Sequence, residues 1–282
     1  MSAAVEVQGL QRSYGSLRAV DGIGFSIGHG TCVAMLGPNG AGKTTTVEIL
    51  EGYRHRDAGA VSVLGQDPAN ADREWRLRVG IVPQNCSDLL DLTVAECVAH
   101  FASHYPRPRT PSALIELVGL ADKSTSRVSA LSGGQRRRLD VALGIVGGPE
   151  LLFLDEPTTG FDPEARRAFW QLIGTLKQEG TTILLTTHYM EEADALADHV
   201  IVVNRGRVVA DAPPAELGAR AGGHAIVRWT EGAEHFEVET PTPTSFVAEL
   251  FARTGGELEG LEVRRPSLED AYLRLIDDEA VL

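Results

Sequence analysis

Apolar residues along this chain fall into two patterns with different periods. Short apolar runs bounded by Gly, Pro or charge predict strands. They are Val5-Glu6-Val7, Ile23-Gly24-Phe25-Ser26-Ile27, Cys32–Leu36, Val61-Ser62-Val63, Val79-Gly80-Ile81-Val82, Leu151–Leu154, Ile183–His188, Val200–Val203 and Arg207–Ala210. Leu151–Leu154 is apolar at every position, as expected of a strand covered on both faces in a parallel sheet. After Pro83-Gln84 the period lengthens. Thr93-Val94-Ala95-Glu96 has the spacing of a capping box. Pro106–Pro111 ends that helix, and Leu114, Leu117 and Val118 form the stripe of the next. Leu139, Ala142, Leu143 and Val146 then repeat at i, i+3, i+4, i+7. A helical insertion at about 84–148 therefore interrupts a strand-rich α/β core.

From about residue 218 the texture changes, with Ala221-Gly222-Gly223 as a joint. Ile226–Trp229 and Phe236–Val238 predict short strands. Phe246, Val247, Leu250 and Phe251 predict one helix, and Leu268, Tyr272 and Leu275, after a Ser267 cap, another. The expected organisation is a large domain, 1–217, and a small α+β domain, 218–282.

The length of 282 residues suits one large domain with an appendage, and no apolar run approaches the span of a bilayer. The amino terminus has no basic region followed by an apolar core, so a secretory signal is not expected. Cys32, Cys86 and Cys97 are too scattered for a metal-type pair and read as reduced, buried thiols of a cytosolic protein. The net charge of −13 argues against nucleic acid or anionic lipid as the main partner. The one strongly basic run, Arg136-Arg137-Arg138, reads as a solvated helix face in preference to a binding patch.

Candidate chemistry begins at Gly37-Pro38-Asn39-Gly40-Ala41-Gly42-Lys43-Thr44, a phosphate loop placed between a buried strand and a helix opening at Thr45. Gly37, Gly40 and Gly42 let the backbone turn tightly enough to aim several N–H groups at one anion. The following helix adds the positive end of its dipole. Lys43 can reach the β- and γ-phosphates, and the Thr44 hydroxyl can sit on Mg²⁺. The chain is expected to bind a nucleoside triphosphate.

The apolar strand at Leu151 ends in Asp155-Glu156-Pro157, at the sheet edge where α/β folds hold ligands. Asp155 suits Mg²⁺, directly or through water; Glu156 suits positioning or deprotonating an attacking water. His188 closes the next buried strand and has two readings, a structural histidine or a donor to a γ-phosphate. Ser132, before Gly133-Gly134-Gln135, also leaves two, a plain capped turn or a second anion site at a helix start. Tyr14 can stack on a purine or serve ordinary packing.

Together these motifs resemble the ATP-binding subunits of ABC transporters over residues 1 to about 217. Gly37–Thr44 is similar to Walker A, Gln84 to the Q-loop, Leu131–Gln135 to the family signature, and Leu151–Glu156 to Walker B. Gly160-Phe161-Asp162 stands at the D-loop, with Phe161 where Leu is usual, and His188 at the H-loop. Thr187–Asp194 and Val263–Asp270 resemble the drug-exporter branch of daunorubicin-resistance and nodulation-factor type. The resemblance implies a P-loop NTPase core with an N-terminal antiparallel β subdomain and a helical insertion. It implies ATP and Mg²⁺, and a head-to-tail homodimer formed on ATP. Each nucleotide would lie between one copy's Walker A loop, with Thr45 following it, and the other copy's Ser132, Gly133, Gly134 and Gln135, with Asp162 nearby. Glu156 would polarise water and His188 hold the γ-phosphate. Gln84 would sense Mg²⁺ beside Thr44 and Asp155, and Tyr14 would stack on adenine. The segment from Cys86 to Tyr105 would contact an integral-membrane permease on a separate chain, placing the protein peripherally at the cytoplasmic face of the membrane and driving export. The alternative, a soluble ABC ATPase acting on DNA or ribosomes, calls for a long coiled-coil insertion or two ATPase units in one chain, and neither is present. A GTP-binding switch would need Asn-Lys-x-Asp, which is lacking, and a nucleotide kinase has no need of the signature.

Overall fold

The computed structural model describes residues 3–82, 90–220, 224–232, 234–264 and 267–277. Gln84 and the joint at Ala221–Gly223 lie outside the described residues. The chain divides into two compact units, Met1–Asp211 and Ala212–Leu282.

The first unit opens with a hairpin of β1 (Val5–Tyr14) and β2 (Leu17–Ile27). With β4 (Ala58–Val63) it forms an antiparallel sheet in the order β2-β1-β4. Both hairpin strands are far longer than their apolar patterns predict. Register shifts between Val7 and Leu10, between Leu10 and Gln11, and between Arg12 and Ser13 break the period-two alternation. Asp57 holds the far end, accepting from Arg12 Nη1 at 2.6 Å and from the Ser13 N–H at 2.7 Å.

A second sheet has the order β5-β6-β7-β3-β8-β9, built from β3 (Cys32–Leu36), β5 (Val79–Val82), β6 (Leu151–Asp155), β7 (Thr182–Thr186), β8 (His199–Asn204) and β9 (Arg207–Ala212). From β5 through β8 its pairs are parallel. The fully buried β3 and β7 explain the continuous apolar runs of this region. One core joins the two sheets, with Leu10, Ile23 and Ile27 against Met35, Phe153 and Ile201. Trp75, on α2 (Arg73–Arg78), is buried in the same core and donates its indole N–H to Val63 O at 2.8 Å. Helix α1 (Lys43–Leu50) follows β3.

Between β5 and β6 lie α3 (Val94–Ala102), α4 (Pro111–Leu117) and α5 (Gly133–Ile145). The Thr93–Glu96 capping box is formed in both directions. On α4 the buried stripe is Leu114, Ile115 and Val118, with Leu117 only half-buried. The arginine run on α5 is not a solvated face. Arg137 is buried, Arg136 donates to Val128 O at 3.0 Å, and Arg138 donates to Gly119 O at 3.1 Å. Long stems let guanidinium groups pack inward while capping loop carbonyls, which a count of charges does not reveal. Helices α6 (Pro163–Gln178) and α7 (Met190–Leu196) complete the unit.

The second unit holds α8 (Pro214–Arg220), a sheet in the order β11-β10-β12, α9 (Pro243–Thr254) and α10 (Leu268–Asp277). Its strands are β10 (Ala225–Glu231), β11 (Glu234–Thr240) and β12 (Glu259–Arg264), all antiparallel. The expected boundary near 218 differs from this division because α8 packs on α10. β12 is solvent-facing nearly throughout; its Leu261 and Val263 alternate with polar residues in sequence yet both stay exposed. Val227, Trp229, Leu250 and Leu258 form a separate small core.

Candidate functional site

β3 delivers the chain to the phosphate loop between β7 and β8. The loop is tight against its surroundings. A Cβ on Gly37 would lie 2.2 Å from Val203 O, and one on Gly42 2.2 Å from Ala19 O. Gly42 also has φ +102° as the residue preceding α1, so only glycine fits there without strain. Ala41 N–H donates to Pro38 O at 3.1 Å, and Ala41 O accepts from Gly206 N–H at 2.9 Å, which fixes Pro38–Ala41 from both sides. Lys43 is buried, with Nζ 2.7 Å from Gly37 O and 3.2 Å from Pro38 O. Burial lowers its pKa; the charges of Glu156 and Asp155 resist that shift.

Thr44 and Asp155 line one cavity of about 410 Å³, together with Glu48 and Glu51. Asp155 accepts a hydrogen bond from the Thr186 hydroxyl, opposite it in the β6–β7 register. A hydroxyl and a carboxylate suit a hard cation. Among the described residues no group of three or more His, Cys, Asp or Glu side chains can hold a metal unaided. Such a donor set fits a cation that completes its shell with water and phosphate oxygens, which is the habit of Mg²⁺. Glu51 is pushed up to about 8, by burial first and then by the charges of Asp155 and Glu48.

Glu156 adopts φ +44°, a left-handed conformation unusual for a side chain of this size. Its N–H is held by Thr186, at 3.1 Å from both the carbonyl and the hydroxyl oxygen. Its carboxylate lies 3.4 Å from His188 Nδ1 and 3.4 Å from the Thr159 hydroxyl. The adjacent β6 and β7 thus bring Glu156 and His188 together from distant points in the sequence.

Ser132 caps α5 in a reciprocal box with Gln135, which settles the capped turn but leaves the anion reading open. Ser132, Gly133, Gly134 and Gln135 line a second cavity of about 470 Å³ with Phe161 and Asp162. Asp162 caps α6, accepting from Ala165 N–H at 2.7 Å. Phe161 is buried and meets Phe169 edge-on at 6.0 Å, so the larger side chain is accommodated within this chain. A Cβ on Gly133 would meet nothing within 4 Å, so the chain's own packing does not require glycine there. Tyr14 is 38% exposed, with the guanidinium carbons of Arg12 and Arg54 at 5.1 and 5.5 Å from its ring centre. Thr45, on the first turn of α1, lines neither of these two cavities. Thr186, Thr159 and Arg137 were not legible as site residues, because strand register and helix packing, not local motifs, bring them there.

The profile of the ABC transporter family matches residues 20–159. The Nod factor export ATP-binding protein I of Ralstonia nicotianae is 40% identical over 304 residues, covering 98% of this chain and 94% of that protein. The daunorubicin resistance ATP-binding protein DrrA3 of Streptomyces coeruleorubidus is 36% identical over 306 residues, covering 98% and 96%. Among solved structures, cbiO1 from Clostridium perfringens, part of the ABC transporter complex cbiONQ, superposes with a TM-score of 0.69. It is 28% identical and covers 78% of this chain and 92% of its own. By its sequence relatives, its fold and its assembled phosphate loop, this chain belongs to the ABC transporter family as an ATP-binding, ATP-hydrolysing subunit.

Proposed function

We propose that the chain works as an ATP-driven homodimer that powers export of an amphipathic compound, such as a drug or antibiotic, through an integral-membrane permease on a separate polypeptide. The observation that carries the dimer is a separation within one chain. Thr44 and Asp155 line one cavity, Ser132–Gln135 line another, and no described residue lines both. A second copy, head to tail, can bring its signature cavity to the nucleotide, and the open space around Gly133 suits close approach of a phosphate to backbone.

In this reading Lys43 and the loop N–H groups hold the phosphates while Tyr14 lies against adenine. Thr44 and Asp155, with Gln84, would hold Mg²⁺, and the ion would neutralise charge on the phosphate oxygens. Glu156 orients the attacking water and accepts its proton, and His188, 3.4 Å away, holds the γ-phosphate. Loss of that phosphate removes the ligand shared by the two copies, and the dimer opens.

Support for a permease comes from a cleft of about 530 Å³ between the core and the helical insertion. Phe101, Tyr105, Tyr53 and Asp140 are among the residues that line it. No helix among the described residues is long and apolar enough to cross a membrane. The expected place is peripheral, at the cytoplasmic face. Export is supported by relatives named for Nod factor export and daunorubicin resistance.

The test is Glu156→Gln in the full chain. ATP affinity should stay near wild type, turnover should fall by at least about a hundredfold, and dimers should accumulate on ATP in size-exclusion chromatography. A variant that stays monomeric with ATP bound, with its co-purifying membrane protein present, would defeat the split site.

A further inference from the structure

The strained backbone at Glu156 is gripped from the helix that carries the signature. Arg137 lies five positions beyond Ser132 on α5, about 7.5 Å along the axis at 1.5 Å per residue. Its guanidinium is buried; Nη2 donates to Asp155 O at 2.7 Å and Nε donates to Pro157 O at 3.1 Å. These two carbonyls belong to the residues on either side of Glu156. The Asp140 carboxylate, equally buried, stands 4.0 Å from Nη1. From the other side, Thr186 holds the Glu156 N–H.

We propose that Arg137 is a positioning residue for Glu156: its fork spans the Asp155 and Pro157 carbonyls and makes the place of the Glu156 carboxylate depend on the place of α5. The inference rests on the reading of Glu156 as the residue that orients water. It adds a route by which occupation of Ser132 by a neighbour's nucleotide is felt at this chain's own Glu156.

The physical case has three parts. A left-handed non-glycine conformation persists only where its surroundings over-determine it, and here bonds from α5 and from β7 hold the peptide that enters Glu156 at both its C=O and its N–H, while α5 also holds the carbonyl of Pro157 just beyond. Charge-assisted bonds from a buried cation are short and directional. A planar fork can hold two carbonyls at once, whereas an ammonium is a point charge. The flanking arginines do not share this task, since Arg136 and Arg138 donate to Val128 and Gly119, away from Glu156.

The experiment compares full-length wild type with Arg137→Lys and with the double variant Arg137→Met/Asp140→Asn, which leaves no unpaired buried charge. Steady-state hydrolysis gives kcat and KM, binding of a fluorescent ATP analogue gives affinity, and thermal melting reports the fold. The expected result is a fall in kcat of about tenfold to a hundredfold in both variants. KM and affinity should stay within about twofold, with melting close to wild type in the double variant. Turnover within about twofold of wild type overturns the proposal. So does a fall in rate matched by loss of ATP affinity or of the folded state, which marks a structural role alone. Glu156→Gln, run in parallel, separates the layers. If it still hydrolyses ATP, the reading of Glu156 fails and this inference with it; if it is dead while Arg137→Lys turns over normally, only the inference fails.

Discussion

At Glu192 the chain buries a carboxyl group completely, with both oxygens sealed from water and no well-formed hydrogen bond. Desolvation raises its pKa, against the opposing pull of Thr187, Thr158, Trp170 and Arg166. The sign of the consequence follows from linkage. Below the ordinary glutamate value of 4.5 both states are protonated. Above it the unfolded chain ionises first, so stability falls until the folded-state pKa is passed and then levels. Each pH unit inside that window costs about 1.4 kcal/mol, or about 3–6 °C in Tm for a domain of this size. Glu192→Gln should therefore melt increasingly above wild type as pH rises from 4.5, and differential scanning calorimetry across pH 4–8 checks it. A constant offset would mean that the group ionises alike in both states. Glycines give a second contrast at this scale. Gly42→Ala places a Cβ 2.2 Å from Ala19 O and should abolish ATP binding. Gly133→Ala meets nothing and should leave melting unchanged or raised by a few tenths of a kcal/mol. If the split site is right, Gly133→Ala still loses ATP-driven dimers in size-exclusion chromatography.

Elements were legible where a local rule wrote them. The Thr93–Glu96 box is satisfied through both of its bonds, from Thr93 N–H to the Glu96 carboxylate at 2.8 Å and from Glu96 N–H to the Thr93 hydroxyl at 3.2 Å. Thr93→Ala should cost about 1 kcal/mol, read from urea unfolding of the full chain. A loss below about 0.3 kcal/mol would mean that α3 is held by packing alone. The phosphate loop and the buried strands β3, β6 and β7 were equally plain, because glycine spacing and unbroken apolar runs are sequence facts. The β1–β2 hairpin was legible only at Val5–Val7 and Ile23–Ile27, since register shifts and polar edge positions erase the alternation over the rest of its length. β12 was missed although Leu261 and Val263 alternate with polar residues; it is paired through its backbone while its side chains face solvent.

Across the whole molecule, every described residue of the nucleotide site lies in the unit Met1–Asp211, which has its own core, while the second unit has a separate one. A fragment ending at Asp211 should therefore fold cooperatively and bind ATP with affinity within about threefold of the full chain. Calorimetric titration tests this, and an aggregated or non-binding fragment would show that the second unit is needed for the first to fold. What the sequence determined by itself is the set of local constructions: the phosphate loop, the paired carboxylates ending an apolar strand, the signature serine at a helix start, and the alternation that makes the chain α/β. Each is set by neighbours a few positions apart, where steric and hydrogen-bond rules act directly. Tertiary structure alone decided which distant groups meet. It set Thr186 against Asp155 and Glu156 by parallel register, His188 beside Glu156, and Arg137 across the carbonyls flanking Glu156. It also kept the Ser132 cavity apart from that of Thr44. Those contacts depend on how sheets and helices stack, and that is fixed by burial of the whole core, not by any short stretch of chain.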